Sequence, residues 1–220
     1  MADRKTRRRN RLIILMVGMV GLAGAGVAGK LALEWRRKHN ATQALARGMQ
    51  AYEQGDYARA LPDLGRAAGR IQDNPDLYYA VADSRRRIPE VNGRHIASAI
   101  AFARMARDGR PDDLRPRVLL LELYRSAGFI SEMLDEADAV LARSPQDRDA
   151  HRARIGALLA LGRRSEALAA AQAAQAAHPA DIEFLQAHLD VLQEVGRPLA
   201  DLQAELELRT AEEALAHART

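Results

Sequence analysis

Two kinds of residue recur with one period in the C-terminal half of this 220-residue chain. Three glycines and three prolines are each spaced 34 residues apart, and each of the first two glycines precedes a proline by 17 residues. They are Gly128, Gly162 and Gly196, and Pro111, Pro145 and Pro179. Glycine commonly ends a helix in the left-handed conformation, whereas proline stops one helix and starts the next. Since 34 residues accommodate one helix–turn–helix unit, the pattern predicts an all-α solenoid of stacked helical hairpins.

The segments between these residues have the apolar spacing of amphipathic helices. Large apolar pairs mark the buried face of the first helix in each hairpin: Leu121 and Tyr124, Ile155 and Leu158, and Leu189 and Leu192. Smaller side chains mark the second helices: Met133, Ala137 and Val140, and then Ala167, Ala171 and Ala174. Small side chains let two helices approach closely. One stretch departs from this pattern, since IPEVNG at 88–93 predicts an enlarged loop between two helices.

Catalytic and metal-binding patterns are not found in the sequence. The chain has no cysteine, which excludes disulfides, thiolate metal sites and a cysteine nucleophile. Its six histidines never have a metal-ligand spacing such as HExxH, and the sequence contains no phosphate-binding glycine loop. We therefore expect a protein that is not an enzyme and that uses no cofactor or metal.

The positive charge of the chain is confined to its N-terminal segment. Residues 1–38 contain ten Lys or Arg against Asp3 and Glu34, whereas the remainder contains 23 Arg and 27 acidic residues. The net charge of +4 therefore does not belong to the repeat region. Because nucleic-acid binding needs a basic folded surface, we expect no nucleic-acid partner.

The N-terminal segment has the pattern of a membrane anchor. Residues 12–29 carry no charge, and a helix of that length spans roughly 27 Å, close to the thickness of a bilayer core. We expect a basic tail at 1–11, a transmembrane helix at 12–33 and a juxtamembrane linker at 34–43. A stripe of small residues, Gly21, Ala25 and Gly29, could pack two such helices together. A cleaved signal peptide, and a glycine-rich span that does not dimerise, remain open alternatives.

The charges beside the span predict its orientation. Six basic residues precede it and four follow its start, which favours an N-terminus on the cytoplasmic side. In a bacterial cell this places a single-pass protein in the inner membrane, with the repeat domain in the periplasm.

Residues 48–68, GMQAYEQGDYARALPDLGRAA, carry a more specific motif. This stretch resembles the tetratricopeptide repeat family, whose signature positions match Gly48, Tyr52, Gly55, Asp56, Tyr57 and Ala60. The resemblance implies a tetratricopeptide-type helix–turn–helix solenoid over 44–208, with a capping helix or tail at 209–220. It also implies a concave groove, lined by the first helix of each unit, that binds a protein or peptide.

The repeat register assigns particular residues to that groove. We expect it to display Tyr52, Tyr79, Arg86, Arg115, Glu122, Arg125 and Arg152. Because arginine pairs with carboxylates, the partner could be acidic, although these arginines could also simply solvate the helices. The predicted function is that of a membrane-tethered scaffold or adaptor. The alternatives are an exported soluble periplasmic repeat protein and an accessory subunit of an envelope or polysaccharide assembly complex.

Overall fold

The computed structural model describes residues 30, 33–196, 198 and 200–217. Most of the predicted transmembrane helix at 12–33, with its stripe of Gly21, Ala25 and Gly29, lies outside the described residues, as does the basic tail. Among the residues that are described, no helix combines the length and apolar character needed to cross a bilayer.

The chain divides into two compact units between Gln72 and Asp73. The repeat domain expected at 44–208 extends over both, and each is described here by itself. In the first unit, helix α1 covers residues 33–53 and includes the linker predicted at 34–43. Helix α2 covers Tyr57–Ala68, and the Asp56 side chain caps its start by accepting a hydrogen bond from the Arg59 amide.

Small residues bring α1 and α2 into close contact. Ala44 and Ala51 of α1 are buried, as are Ala60 and Leu64 of α2. Gly48 lies against Leu64 so closely that a Cβ atom at position 48 would be 2.9 Å from the Leu64 side chain and backbone nitrogen. The glycine of the sequence motif therefore permits the close approach of the two helices.

Eight helices form the described part of the second unit: α3 (Pro75–Arg87), α4 (Arg94–Gly109), α5 (Arg115–Ala127), α6 (Ile130–Leu141), α7 (Arg148–Ala160), α8 (Arg164–Ala177), α9 (Ile182–Val195) and α10 (Ala200–His217). Each helix contacts the next, and the short connections make antiparallel hairpins of α3–α4, α5–α6, α7–α8 and α9–α10. Helix α5 also contacts α3 and α7, so these first helices run parallel to one another.

The predicted positions of glycine and proline in the turns and connections of the hairpins are confirmed. Gly128, Gly162 and Gly196 occupy equivalent bends after α5, α7 and α9, with φ angles of 74°, 71° and 69°. A side chain with a Cβ atom is strained in this left-handed region, which explains the regular occurrence of glycine. Pro111, Pro145 and Pro179 lie in the connections between hairpins. The enlarged loop expected at 88–93 is also present, between α3 and α4.

The core of the second unit follows the apolar pattern of the sequence. Every residue of the predicted first-helix pairs and second-helix stripes is buried. Tyr124 and Phe184 are the largest fully buried side chains, and Arg104 Nε donates a hydrogen bond to the Tyr124 hydroxyl at 2.7 Å. One contiguous cluster extends from Ala82 in α3 to Leu192 in α9, so successive hairpins share one core.

A buried ion cluster joins helices α4, α5 and α6. The Glu136 carboxylate of α6 has 6% exposure and accepts hydrogen bonds from Arg107 of α4 and Arg117 of α5, the latter at 2.6 Å. Arg107 also donates to Asp108. Since both arginines are mostly buried with their carboxylate, the cluster fixes α6 against α4 and α5.

Candidate functional site

A groove of the second unit lies along its parallel first helices. A cavity of about 540 Å³ is lined by side chains of α3, α5 and α7 together with Leu114 and Met133. The three helices present the same face to it because each is followed by a second helix that packs on the other side. The cavity is thus a direct consequence of the hairpin repeat.

The floor of this cavity is apolar and contains a gap at α7. Val118, Leu121 and Met133 contribute apolar surface, whereas α7 contributes only Ala153 and Gly156 at its centre. A Cβ atom placed on Gly156 would have no other heavy atom within 4 Å. Gly156 therefore leaves open space at the floor of the cavity, which a larger side chain would occupy.

One end of the cavity contains a network of ion pairs between α3 and α5. Arg86 Nη1 donates to both Glu122 oxygens at 3.0 and 2.9 Å, and Arg86 Nη2 donates to Asp83 at 2.8 Å. Arg87 Nε donates to the other Asp83 oxygen at 3.0 Å. Burial opposes the charge of Arg86, but the hydrogen bonds to Asp83 and Glu122 outweigh it and raise the pKa of Arg86. Arg86 therefore stays charged and paired at neutral pH.

The N-terminal ends of the same two helices are joined by a second network. Arg115 of α5 pairs with Asp113 at 2.6 Å and with Asp76 of α3 at 3.0 Å, and its guanidinium lies 5.1 Å from the centre of the Tyr79 ring. The hydrogen bond to Asp113 is the main cause of a raised pKa for Arg115. Hydrogen bonds from Arg110 lower the pKa of Asp76, and burial raises that of Tyr79.

Helices α7 and α9 are joined in the same way. Arg152 pairs with Glu183, and Arg148 pairs with Asp181 and, at 3.3 Å, with Glu183. Arg148 also lies over the Phe184 ring, 5.9 Å from its centre. Arginine–carboxylate pairs therefore connect α3 to α5 and α7 to α9.

No arginine–carboxylate pair connects α5 to α7 within the described part of the chain. Arg125 of α5 and Asp149 of α7 both line the cavity and are exposed, and neither forms an ion pair with a described residue. The series of inter-helix ion pairs is therefore interrupted between α5 and α7. These two side chains are the charged groups of the lining that can bind a partner without first breaking an internal pair.

The structure brings together most of the residues that were assigned to a groove from the sequence. Six of them line this single cavity: Tyr79, Arg86, Arg115, Glu122, Arg125 and Arg152. Tyr52 belongs to the first unit, where its ring packs edge to face against Tyr57 at 5.8 Å. Partner binding by any of these residues stays a prediction.

The internal pairing of the groove arginines was not expected from the sequence. Of the five arginines that line the cavity, Arg125 alone lacks a carboxylate partner among the described residues. The partners of Arg86 and Arg115 lie 36 and 39 positions away in the sequence, on the neighbouring first helix. The arginines of the predicted groove therefore offer less positive charge to an acidic partner than their number suggests.

Gly156, Asp83 and Asp149 are lining residues that the sequence analysis missed. Gly156 does carry a signal, because the 34-residue period aligns it with Glu122 and Asp190, and a glycine in a position of otherwise charged side chains marks a gap. No group of three metal-binding side chains is found within the described ranges.

Comparisons with known proteins identify the fold. No protein-family model matches the sequence, and no curated protein matches it. Solved structures of MamA do match the structure. A MamA RS-1 double mutant has a TM-score of 0.68 at 16% identity, over 82% of this chain and 98% of that one. MamA 41-end from Desulfovibrio magneticus RS-1 has a TM-score of 0.66 at 15% identity, over 79% and 96%.

A third MamA crystal structure has a TM-score of 0.67 at 14% identity, over 82% of this chain and 94% of that one. At this level of identity the similarity establishes the fold alone. The chain has the all-helical, tetratricopeptide-type repeat fold that is also found in MamA.

Proposed function

We propose that this chain is a membrane-tethered scaffold that binds a segment of another protein in the groove of its second unit. The observation that carries this proposal is the cavity of about 540 Å³, whose apolar floor is open at Gly156. A bound segment would bury this floor, and apolar burial contributes about 25 cal/mol per Å². Tetratricopeptide-like folds offer such concave surfaces to extended or helical peptides.

The polar groups of the lining supply orientation rather than most of the binding energy. The paired arginines hold the walls in place, and their charges are already neutralised by Asp83, Glu122 and Glu183. Arg125 is the group that offers an unpaired guanidinium, and a carboxylate of the partner binds there. An acidic residue in the partner thus fixes the register of a segment whose affinity comes from apolar contacts.

The tether places this groove at the bacterial inner membrane, on the periplasmic side. Support comes from the uncharged segment 12–29 and from the end of α1 that follows it. All residues from 33 to 40 are exposed, including Leu33 at 55% and Trp35 at 68%, and the first buried position is Ala41. An exposed tryptophan beside Arg36 and Arg37 is typical of a membrane interface. Tethering raises the local concentration of membrane-bound partners, so weak groove contacts suffice.

The groove is tested by filling its gap. Gly156→Leu adds a side chain where there is open space, so the fold is retained while the binding volume is lost. Gly65→Leu is the matched control, because Gly65 is also helical and also has no other heavy atom within 4 Å of its Cβ position, but it lies in the first unit.

A photo-cross-linking amino acid at position 149 of the full chain, which also lines the cavity and leaves Arg125 in place, reports occupancy of the groove. We expect the cross-linked partner to be lost at least tenfold in the Gly156→Leu chain and retained in the Gly65→Leu chain. Equal cross-linking in both variants would show that the groove is not the binding site. The tether is tested separately by intact mass of the mature chain and by its resistance to extraction from membranes at alkaline pH.

A further inference from the structure

The turns that end the first helices of the second unit carry an unusual set of exposed apolar side chains. Val91, Phe129 and Leu161 are 111%, 42% and 40% exposed. Each lies in the connection between the first and second helix of its hairpin: α3–α4, α5–α6 and α7–α8. Because α3, α5 and α7 are parallel neighbours, these three connections lie at one edge of the unit, which we call the turn edge.

The charges of the second unit are divided between its two edges. The turn edge comprises residues 85–95, 125–132 and 161–166 and contains seven arginines and three acidic residues. The opposite edge, which we call the loop edge, comprises residues 73–76, 108–115, 143–149 and 178–183 and contains nine acidic residues and four arginines. Within these bounds arginines outnumber acidic residues at the turn edge, and the reverse holds at the loop edge. Asp83, Glu122 and Glu194, which pair with Arg86, Arg87 and Arg164, lie just outside the turn-edge ranges.

Some of the turn-edge charge is available to a partner. Arg94 is exposed and forms no side-chain ion pair with a described residue, and Arg125 does not either. Arg164 is 4.0 Å from Glu194, at the limit of an ion pair, with its own side chain 63% exposed. Arg94, Arg125 and Arg164 thus lie within four positions of Val91, Phe129 and Leu161 in the sequence, and of the three arginines only Arg164 has a carboxylate near it among the described residues.

The geometry points to the turn edge as a contact surface for an anionic lipid bilayer. The three apolar side chains belong to three separate hairpin connections, whereas a protein interface needs one continuous apolar patch. A bilayer surface requires no such continuity, because each tip can insert by itself while neighbouring arginines bind headgroup phosphates. The loop edge, with its excess of carboxylates, would be repelled by the same surface.

This contact would orient the second unit relative to the membrane through Arg94 and Arg164, which do not line the groove. With the turn edge on the bilayer, the axes of the first helices stand away from the surface. The groove between α3, α5 and α7 then opens to the side, where a membrane-bound partner can reach it. The inference does not require that the groove have a particular occupant.

The absence of cysteine allows a direct test with single labels. The full chain is reconstituted into vesicles of phosphatidylcholine with 30% phosphatidylglycerol, which are recovered by flotation. A polarity-sensitive fluorophore is attached to Val91→Cys, Phe129→Cys or Leu161→Cys. The controls are Met105→Cys, 44% exposed on α4, and Asp112→Cys on the loop edge, where the side chain is 95% exposed.

Lipids with a quenching group just below the headgroup should quench the three turn-edge labels at least twofold more than either control. High salt or Arg94→Glu with Arg164→Glu should reduce this difference by at least half. Equal quenching at all five sites in floated vesicles would contradict the inference. In detergent, a blue shift in the fluorescence of the turn-edge labels that grows with protein concentration would also contradict the inference, because it would indicate contact with a protein. Failure of the tether gives a different result from these two outcomes. Without a tether, the chain would not float with vesicles of phosphatidylcholine alone.

Discussion

At the scale of single residues, glycines in this protein have two opposite roles, and the surroundings of each Cβ position decide between them. Gly48 is needed because α1 and α2 touch there, whereas Gly65 and Gly156 face open space. All three occur inside helices, where glycine costs roughly 0.5–1 kcal/mol relative to alanine. The sequence motif explains Gly48, but its spacing contains no information about Gly65.

Gly48→Ala should destabilise the first unit, and Gly65→Ala should not. The new methyl group at position 48 would lie 2.9 Å from the Leu64 side chain and backbone, so the helices must separate, at a cost of about 1–3 kcal/mol. Gly65→Ala gains helix propensity without a clash and should be neutral or stabilising by up to about 1 kcal/mol. Urea unfolding monitored by circular dichroism compares the two variants, and equal midpoints would contradict the close contact at Gly48.

At the scale of helices, α8 and α9 are held together through a buried histidine. His188 of α9 is 6% exposed, and its Nδ1 lies 2.6 Å from the Gln175 amide oxygen of α8. Since that oxygen is an acceptor, Nδ1 is the donor in this contact. Burial lowers the pKa of His188 below its ordinary value near 6.5, because the charged ring loses hydration. The folded protein therefore keeps this ring neutral at pH values where the unfolded chain protonates it.

The free energy of unfolding should therefore decrease as pH falls from about 6.5 to the lowered pKa of His188. In that pH window the unfolded state binds more protons than the folded state. Above the window His188 causes no loss of stability, and below it the loss is complete. His188→Asn preserves a donor near the position of Nδ1 and should flatten this part of the profile. Chemical denaturation from pH 7.5 to 5 measures the slope. His39→Asn, at an exposed site in α1, serves as control, and an unchanged slope in His188→Asn would refute the assignment.

The hairpins were predictable from the sequence, and the walls of the groove were not. Gly128 and Pro145 act locally on backbone conformation, so their spacing alone predicts where α5 ends and where α7 begins. The Arg86–Glu122 pair depends on contact between helices 36 residues apart, which composition does not reveal. The gap at Gly156 was not predicted for another reason: helical periodicity does not reveal an absent side chain, and only the alignment of Gly156 with Glu122 and Asp190 in the 34-residue repeat marks it. The sequence therefore predicts most of the residues that line the groove, but it does not predict the charge or the volume of the groove.

At the scale of the second unit, the contacts between helices determine how far a local change spreads. Among the described helices from α3 to α10, each contacts its neighbours in the chain, and the further contacts join α5 to α3 and α7. Helix α10 contacts α9 alone within this set. A stack of this kind has stability that is approximately a sum of local terms and nearest-neighbour interfaces, so its ends can open before its centre.

Hydrogen exchange should distinguish a substitution at the end of this stack from one at its centre. Leu202→Ala weakens the packing of α10 on the core, and it should speed amide exchange in α9 and α10 while leaving α3 and α4 unchanged. Leu123→Ala removes a fully buried side chain of α5, at a cost of about 2–5 kcal/mol, and should speed exchange in both directions from the centre. Leu208→Ala, at a side chain with 61% exposure on α10, is the control and should change nothing. Mass spectrometry of peptides from each helix measures these rates. Uniform acceleration over all eight helices in Leu202→Ala would mean that the unit opens as one cooperative body, because then even its terminal contact would be shared by every hairpin.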